Sequence, residues 1–238
     1  QFRIAFFSSS NELIFRIDEV ETRVEILKEE FQLLHDYNPI EYTKSRIKSP
    51  ESIINKVYRK GGELSFASIR EHVQDIAGLR ITCSFISDIY RISEMLQSQK
   101  DLKVLKIKDY IRHPKPNGYQ SLHLLLEVPV HMSDREEQVC VEIQIRTIAM
   151  DFWASLEHKI YYKYNAAVPP HLLRELKEAA DTVASLDHKM ERLHREIKEF
   201  QALNPEENGD LYQLVIQNER YALPKALLDM VREERKEN

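Results

Sequence analysis

Apolar residues recur near both ends of the chain at alternating spacings of four and three residues. The first series consists of Leu13, Ile17, Val20, Val24, Leu27, Phe31 and Leu34. The second follows Pro169-Pro170 and consists of Leu172, Leu176, Ala179, Val183, Leu186, Met190, Leu193 and Ile197. This heptad spacing predicts two long helices with one apolar stripe each. Such a stripe either packs on the domain between the helices or pairs with another copy of the chain.

Between these helices the pattern changes to shorter elements of both kinds. Alternating and β-branched runs predict strands at 78–85, 103–108, 121–128 and 137–146. Helices are predicted at 49–60, 65–73, 87–99 and 147–162, and the chain closes with a strand at 211–216 and a helix from about Pro224. The fold class is therefore α/β (α+β), with a mixed sheet of about five strands flanked by helices. We expect an N-terminal helical segment at 1–43, a core domain at 44–165 and a C-terminal helical oligomerisation segment at 166–238.

Alternation places polar side chains on one face of three predicted strands. The residues that point away from the apolar face are, strand by strand, Arg80 with Thr82, His123, and Glu142 with Gln144 and Arg146. Solvated outer faces of sheets show the same pattern. Ionisable groups at these positions, with basic loops nearby, favour a polar cleft over a merely solvated face.

Composition limits the class of protein. Of 238 residues, 42% are hydrophobic and 31% are charged, which is typical of a globular protein. No apolar run reaches the roughly 20 residues that span a bilayer, and the opening seven residues are too short for a secretory signal, so we expect no membrane association. Cys83 and Cys140 lack zinc spacing and fit reduced thiols in the cytoplasm.

The net charge of −5, from 34 basic and 39 acidic residues, argues against a stable nucleic-acid partner. Two segments nevertheless are strongly basic. The first holds Lys44, Arg46, Lys48, Lys56, Arg59 and Lys60. The second holds Lys100, Lys103, Lys106, Lys108, Arg112 and Lys115. Solvated faces explain single runs of this kind, but two runs in an acidic chain favour a site for a small polyanion.

The segment 113–119 is the most distinctive loop. Two prolines stiffen it, and Asn117-Gly118 permits a tight turn with positive φ. Lys115 brings a charge to this loop, and Tyr119 brings a flat ring that could stack on a nucleobase beside its phosphates. The alternative is an ordinary turn with the ring packed in the core.

Asp75 and Glu142 are the candidate metal ligands. Mg²⁺ prefers hard oxygen donors and usually takes one or two carboxylates together with substrate phosphates. One carboxylate precedes a predicted strand and the other lies inside a second strand, so they could meet across the sheet. The alternative is that both are ordinary surface acids.

The helix at 147–162 carries Phe152, Leu156 and Ile160 on one face, and we expect these three to pack in the core. Glu157-His158 in the same helix lacks the HExxH spacing of a zinc site. The spacing therefore does not predict a zinc site on this helix.

Four segments in order resemble the synthetase domain of the RelA/SpoT homologue family, and the layout resembles its small alarmone synthetases of the RelP (YwaC) type. They are the basic segment from Arg46 to Lys60, Asp75-Ile-Ala-Gly-Leu-Arg80, Lys115-Pro-Asn-Gly-Tyr-Gln-Ser-Leu-His123, and Glu142-Ile-Gln-Ile-Arg-Thr147 followed by Trp153 and Glu157-His158. The resemblance covers roughly residues 38–200 and implies a nucleotidyltransferase-like fold.

The resemblance implies transfer of pyrophosphate from ATP to the 3′-hydroxyl of GDP or GTP, with Mg²⁺ as cofactor, in the stringent response. Asp75 and Glu142 would bind the metal, and Glu142 would accept the hydroxyl proton. ATP would be bound by Arg46, Lys48, Lys56, Arg59 and Arg80, with Arg80 and Arg46 on either side of adenine. The guanine nucleotide would be bound by Lys115, Asn117, Tyr119, His123 and Gln144, with Tyr119 stacked on the base.

The resemblance also implies a homotetramer without hydrolase activity. Two alternatives stay open on the residues alone. One is a Mg²⁺-dependent nucleotidyltransferase with another acceptor, because the same carboxylate pair would serve it. The other is a catalytically silent module that senses a nucleotide or RNA, against which the intact Asp75, Glu142, Tyr119 and His123 argue.

Overall fold

The computed structural model describes residues 20–31, 37–131, 136–161, 168–203, 212–216 and 219–223. Helix α1 occupies the described residues 20–31. The elements that follow are β1 (Ile40–Ile47), α2 (Pro50–Arg59), α3 (Phe66–His72), β2 (Ala77–Cys83), α4 (Ile86–Ser98), β3 (Lys103–Asp109), β4 (Leu122–His131), β5 (Glu136–Thr147), α5 (Ile148–Tyr161), α6 (Pro170–Leu203), β6 (Tyr212–Ile216) and β7 (Glu219–Leu223).

Five strands form one mixed sheet in the order β1-β2-β5-β4-β3. Strands β2 and β5 are parallel, and the other neighbours are antiparallel. The predicted mixed sheet of about five strands is thus confirmed. Its edge strand β1 was not predicted, because only its first residue, Ile40, is buried and the strand carries no apolar alternation. The predicted strand at 211–216 is present as β6, but it pairs with β7 in a separate sheet.

The apolar face of the sheet is covered by α1 and α4. Val20, Val24 and Leu27 of α1 lie in the same buried cluster as the inward residues of β2, β4 and β5. For the described part of α1, the heptad stripe is therefore an internal packing surface. The predicted stripe residues Leu13, Ile17 and Leu34, and the helix predicted from Pro224, lie outside the described residues.

The expected core packing of the α5 stripe is wrong. Phe152, Leu156 and Ile160 are 62%, 39% and 62% exposed, whereas Trp153 and Ala154 are buried. Spacing of four residues identifies a stripe on a helix but does not fix which side of the helix faces the protein. Here α5 turns Trp153 toward α6, where its indole N–H donates to the carbonyl of Leu176 at 3.3 Å. No helix in the described part of the chain is long and apolar enough to cross a membrane.

Replacing Leu27 by alanine should lower the free energy of unfolding by about 2–3 kcal/mol, because the side chain fills part of the core under α1. The neighbouring Ile26→Ala is the matched control, since Ile26 is 57% exposed and its loss should cost less than about 0.5 kcal/mol. Denaturant unfolding of both variants measures the difference. Equal losses would contradict the packing of this stripe inside the chain.

Candidate active site

Strand register places a row of polar residues across the open face of the sheet. From β1 to β3 the row is Lys44, Arg80, Gln144, His123 and Lys108. In the next row Arg46 pairs with Gly78, and Gly78 pairs with Glu142. A Cβ on Gly78 would lie 3.4 Å from Arg46 Cγ, so the glycine leaves room for the arginine to lie across the sheet. Strands distant in sequence thus present cations and a carboxylate on one surface.

Two adjoining cavities open over this face, of about 680 and 350 Å³. The larger brings together ten of the predicted site residues: Arg46, Arg59, Asp75, Arg80, Lys115, Asn117, Tyr119, His123, Glu142 and Gln144. Lys56 lies on the wall of the smaller cavity. Lys48 reaches the site through an ion pair with Asp75. The predicted residues therefore converge on one region.

Asp75 lies in the turn between α3 and β2 and is held by two lysines. Its carboxylate oxygens are 2.6 Å from Lys48 Nζ and 2.8 Å from Lys56 Nζ. Burial by itself raises the pKa of Asp75, but the hydrogen bonds and charges of the two lysines outweigh burial and lower the pKa below its usual value. Asp75 is therefore ionised at neutral pH.

Glu142 projects from β5 and accepts hydrogen bonds from both sides. Gln144 Nε2 donates to Oε2 at 2.8 Å, and His123 Nδ1 lies 3.4 Å from Oε1. Burial raises the pKa of Glu142, but His123, Gln144 and the charge of Arg46 lower it to about 2. The carboxylate is thus ionised and already oriented.

The hydrogen bonds around His123 have one consistent direction. Arg146 can only donate, and its Nη2 lies 2.9 Å from Tyr119 Oη. Burial raises the pKa of the Tyr119 hydroxyl, so it keeps its proton, and its oxygen lies 2.8 Å from His123 Nε2. Burial lowers the pKa of His123, so the ring is neutral at pH 7. Because the ionised Glu142 can only accept, the ring proton lies on Nδ1, and Nε2 then accepts from the Tyr119 hydroxyl.

A second connection runs from Arg146 to Glu142 through Gln144. Arg146 Nη2 donates to Gln144 Oε1 at 2.6 Å, and the amide of Gln144 then donates to Glu142. Together with Tyr119 and His123, these side chains form a closed ring of hydrogen bonds, called here the Glu142 ring. Its members are Arg146, Tyr119, His123, Glu142 and Gln144.

The loop 113–119 is shaped by its own backbone. Gly118 adopts φ 87° and donates its N–H to the carbonyl of Lys115 at 2.8 Å. A Cβ on Gly118 would collide with Ala180 of α6, so only glycine fits this turn. Tyr119 packs against Trp153 and Ala180 and also lines the cavity, so both expectations for its ring are met in part.

Sequence reasoning did not assign four residues of this region. Two of them could have been found from the sequence. Arg146 points to the same strand face as Gln144, and Lys108 lies in a basic segment. Tyr110 carried no such signal, and its ring meets those of Tyr119 and His123 edge to face. Asp151 also carried none, because its contacts with Tyr42 and Arg80 join distant parts of the chain.

The donor groups at the cavity decide whether a metal ion could bind there. No cluster of three or more His, Cys, Asp or Glu side chains that could hold a metal occurs among the described residues. Asp75 and Glu142, both ionised and on the wall of both cavities, are two hard oxygen donors. This pair fits a cation such as Mg²⁺, which completes its coordination with water and phosphate oxygens.

Comparison with known proteins agrees with this geometry. The model of the region found in RelA / SpoT proteins matches residues 45–167. GTP pyrophosphokinase YwaC of Bacillus subtilis (strain 168) is 56% identical over 190 residues, which cover 79% of this chain and 90% of that protein. The crystal structure of small alarmone synthetase 2 from Bacillus subtilis, at 54% identity, has a TM-score of 0.71 over 79% of this chain and 98% of that one. Small alarmone synthetase 1 from Bacillus subtilis bound to its product pppGpp, at 37% identity, also has a TM-score of 0.71, over 77% and 94%. The chain belongs to the RelA/SpoT family.

Proposed function

We propose that this chain is a (p)ppGpp synthetase, a GTP pyrophosphokinase that acts on GDP or GTP. The 3′-oxygen of the guanine nucleotide attacks the β-phosphorus of ATP, the bond from that phosphorus to the α-phosphate oxygen breaks, and AMP leaves. The proposal rests on one observation. The larger cavity is lined by the ionised and oriented carboxylate of Glu142, by several lysine and arginine side chains, and by the half-buried ring of Tyr119. The product (p)ppGpp is the alarmone of the stringent response, so the proposed function places this chain in that response.

The phosphates of ATP are assigned to the cations around Asp75. Arg46 lies on β1, Lys56 and Arg59 lie on α2, and Lys48 lies in the connection between them. Arg59 lines both cavities. Phosphoryl-type transfer depends mainly on alignment and on neutralising charge, which fixed cations supply without reorganising during the reaction. Lys48 and Lys56, already held by Asp75, meet this requirement.

Adenine is assigned to the space between Arg46 and Arg80. These two residues, with Gly78 between them, line a third cavity, of about 130 Å³, on the same face of the sheet. A guanidinium is planar and weakly hydrated, so it stacks on a flat base more readily than an ammonium does. The pair would hold the base from both sides.

The guanine nucleotide is assigned to the far end of the larger cavity, with Asn117, His123 and Gln144 on its wall. Tyr119 offers a ring face that Lys115 Nζ covers at 4.5 Å from the ring centroid. A base stacked there is stabilised by roughly 1–3 kcal/mol. We expect it to displace the ammonium of Lys115, which then pairs with the phosphates of the same nucleotide.

Glu142 is assigned to the attacking 3′-hydroxyl, whose proton it accepts. A carboxylate with a pKa of about 2 is a weak base, so its main contribution is to orient the hydroxyl. Asp75 and Glu142 would hold Mg²⁺, which supplies charge neutralisation at the phosphates. Both carboxylates are ionised beforehand and need lose no proton to bind it.

Asp75→Asn and Glu142→Gln should each lower the rate of (p)ppGpp formation by about 100-fold or more, because each removes a charge at the reacting phosphates. The assay supplies ATP with GMP, GDP or GTP and separates AMP from the 3′-pyrophosphorylated product. Glu127→Gln is the matched control: Glu127 lies on the same strand face as His123 but pairs with Lys103 and should leave the rate unchanged.

Nucleotidyl addition to the acceptor, with release of pyrophosphate in place of AMP, would replace the proposal with a nucleotidyltransferase. Nucleotide binding without turnover would identify a silent sensing module. A wild-type rate in Asp75→Asn or Glu142→Gln with unchanged circular dichroism would remove that residue from the reacting centre.

The assembly we propose is a homotetramer built through α6. Four residues of its heptad stripe are between 39% and 58% exposed: Leu186, Met190, Leu193 and Ile197. A continuous apolar stripe on a long helix is typical of a protein–protein contact. A cytoplasmic location is proposed as well, since Cys83 and Cys140 are free thiols and nucleotide substrates are cytoplasmic.

Light scattering at micromolar concentration should give the mass of a tetramer, and Met190→Asp should reduce it because it places a charge in the apolar stripe. Arg195→Asp, on an exposed part of α6 away from the stripe, is the matched control and should keep the assembly. A monomeric mass for the unchanged protein would contradict this assembly and would mean that the stripe serves a contact within one chain.

A further inference from the structure

Two guanidinium groups lie close together on the wall of the larger cavity. Arg80 on β2 and Arg146 on β5 project from the polar face, and the side chain of Arg146 is only 5% exposed. Burial lowers the pKa of Arg80, and the positive charge of Arg146 lowers it further. Like charges that are partly shielded from water repel each other more strongly than they do in bulk solvent, so this arrangement favours a counter-ion.

Asp151 is that counter-ion. Its Oδ1 lies 3.0 Å from Arg80 Nη1 and 3.1 Å from Arg146 Nη1, so one oxygen joins both guanidinium groups. The Tyr42 hydroxyl donates to the other oxygen at 3.2 Å. Asp151 lies in the first turn of α5, where the helix N-terminus favours a carboxylate. Its position is therefore fixed by β1, β2, β5 and α5 together.

The contact with Asp151 leaves the other terminal nitrogen of Arg146 free to serve the Glu142 ring. Nη1 donates to Asp151, and Nη2 donates to Tyr119 and Gln144. From there one connection reaches Glu142 through His123 and the other through Gln144. Arg80, the second partner of Asp151, lies on the side of the cavity assigned to ATP. One carboxylate thus fixes groups on both nucleotide sides.

We propose that Asp151 is a positioning residue that holds Arg80 for ATP and, through Arg146, orients Tyr119 and Glu142 for the guanine nucleotide. The assignment of the two sides rests on the proposed function. Asp151 is not among the described residues that line the cavities, so it acts through its partners. A residue that only stabilised the start of α5 would affect folding stability alone.

The test measures calorimetric affinities for GDP and for a non-hydrolysable ATP analogue, together with kcat, on the full chain. Asp151→Asn should weaken both ligands roughly 10-fold and lower kcat about 100-fold, because displacement of a reacting group by a fraction of an ångström is costly. Asp187→Asn is the matched control. Asp187 is 7% exposed, against 9% for Asp151, and accepts a hydrogen bond from Thr147, next to Arg146. It should change the thermal midpoint while affinities and kcat stay within about 2-fold.

Arg146→Lys is the second variant and keeps the charge, but an ammonium cannot make the same fork to Asp151, Tyr119 and Gln144. It should lower kcat about as much as Asp151→Asn, and the double variant should be no worse than the more damaging single one. The inference is overturned if Asp151→Asn changes only the thermal midpoint, if only one ligand is affected, or if the two losses multiply.

If Asp151→Asn does not fold, Arg146→Lys decides alone: a folded variant with wild-type kcat and GDP affinity overturns the inference. An unchanged chain that binds both nucleotides but forms no (p)ppGpp contradicts the proposed function. The two affinities then still decide the role of Asp151.

Discussion

A guanidinium buried to the depth of Arg146 needs acceptors on more than one side, and the rest of the site is arranged around those acceptors. One terminal nitrogen donates to Asp151, and the other donates to Tyr119 and Gln144. Arginine can only donate and the ionised Glu142 can only accept, so the two ends together set the direction of the hydrogen bonds that connect them. The carboxylate is therefore held ionised and oriented before any substrate arrives.

Positive charge is the second constraint on this surface. A site that binds two polyphosphates must concentrate cations, which repel one another in the empty protein. Two aspartates relieve that repulsion, each between two cations: Asp75 between Lys48 and Lys56, and Asp151 between Arg80 and Arg146. The two differ in position, since Asp75 lines the cavities while Asp151 lies behind its arginines. This difference in position agrees with the proposed roles of Asp75 as a metal ligand and of Asp151 as a positioning residue.

Much of the site could be predicted from the alternation of side chains between the two faces of a β-strand. Glu142, Gln144 and His123 had to share one face of the sheet once the apolar residues between them were placed in the core. Heptad spacing likewise located α1 and α6, although only packing decides that Val24 is internal while Met190 is exposed. Family resemblance then connected Asp75 to Glu142, which spacing alone did not do.

The rest depended on tertiary contacts that leave no local signal. Strand β1 has almost no buried side chain and is held in place by pairing with β2. The apolar stripe of α5 was placed in the core because periodicity cannot tell the inner from the outer side of a helix. Asp151 was not assigned a role, because Arg80 on β2 meets it only in the folded chain and spacing did not connect it to Arg146, five residues before it.

The orientation of Glu142 is tested most directly by the tautomer of His123, observed by ¹⁵N NMR of histidine-labelled protein. The His123 signal is assigned as the one that His123→Gln removes. At pH 7.5 we expect a neutral ring with its proton on Nδ1, because Nδ1 donates to the ionised Glu142 and Nε2 accepts from Tyr119. A proton on Nε2, or a doubly protonated ring at that pH, would contradict the hydrogen-bond direction on which the orientation of Glu142 depends.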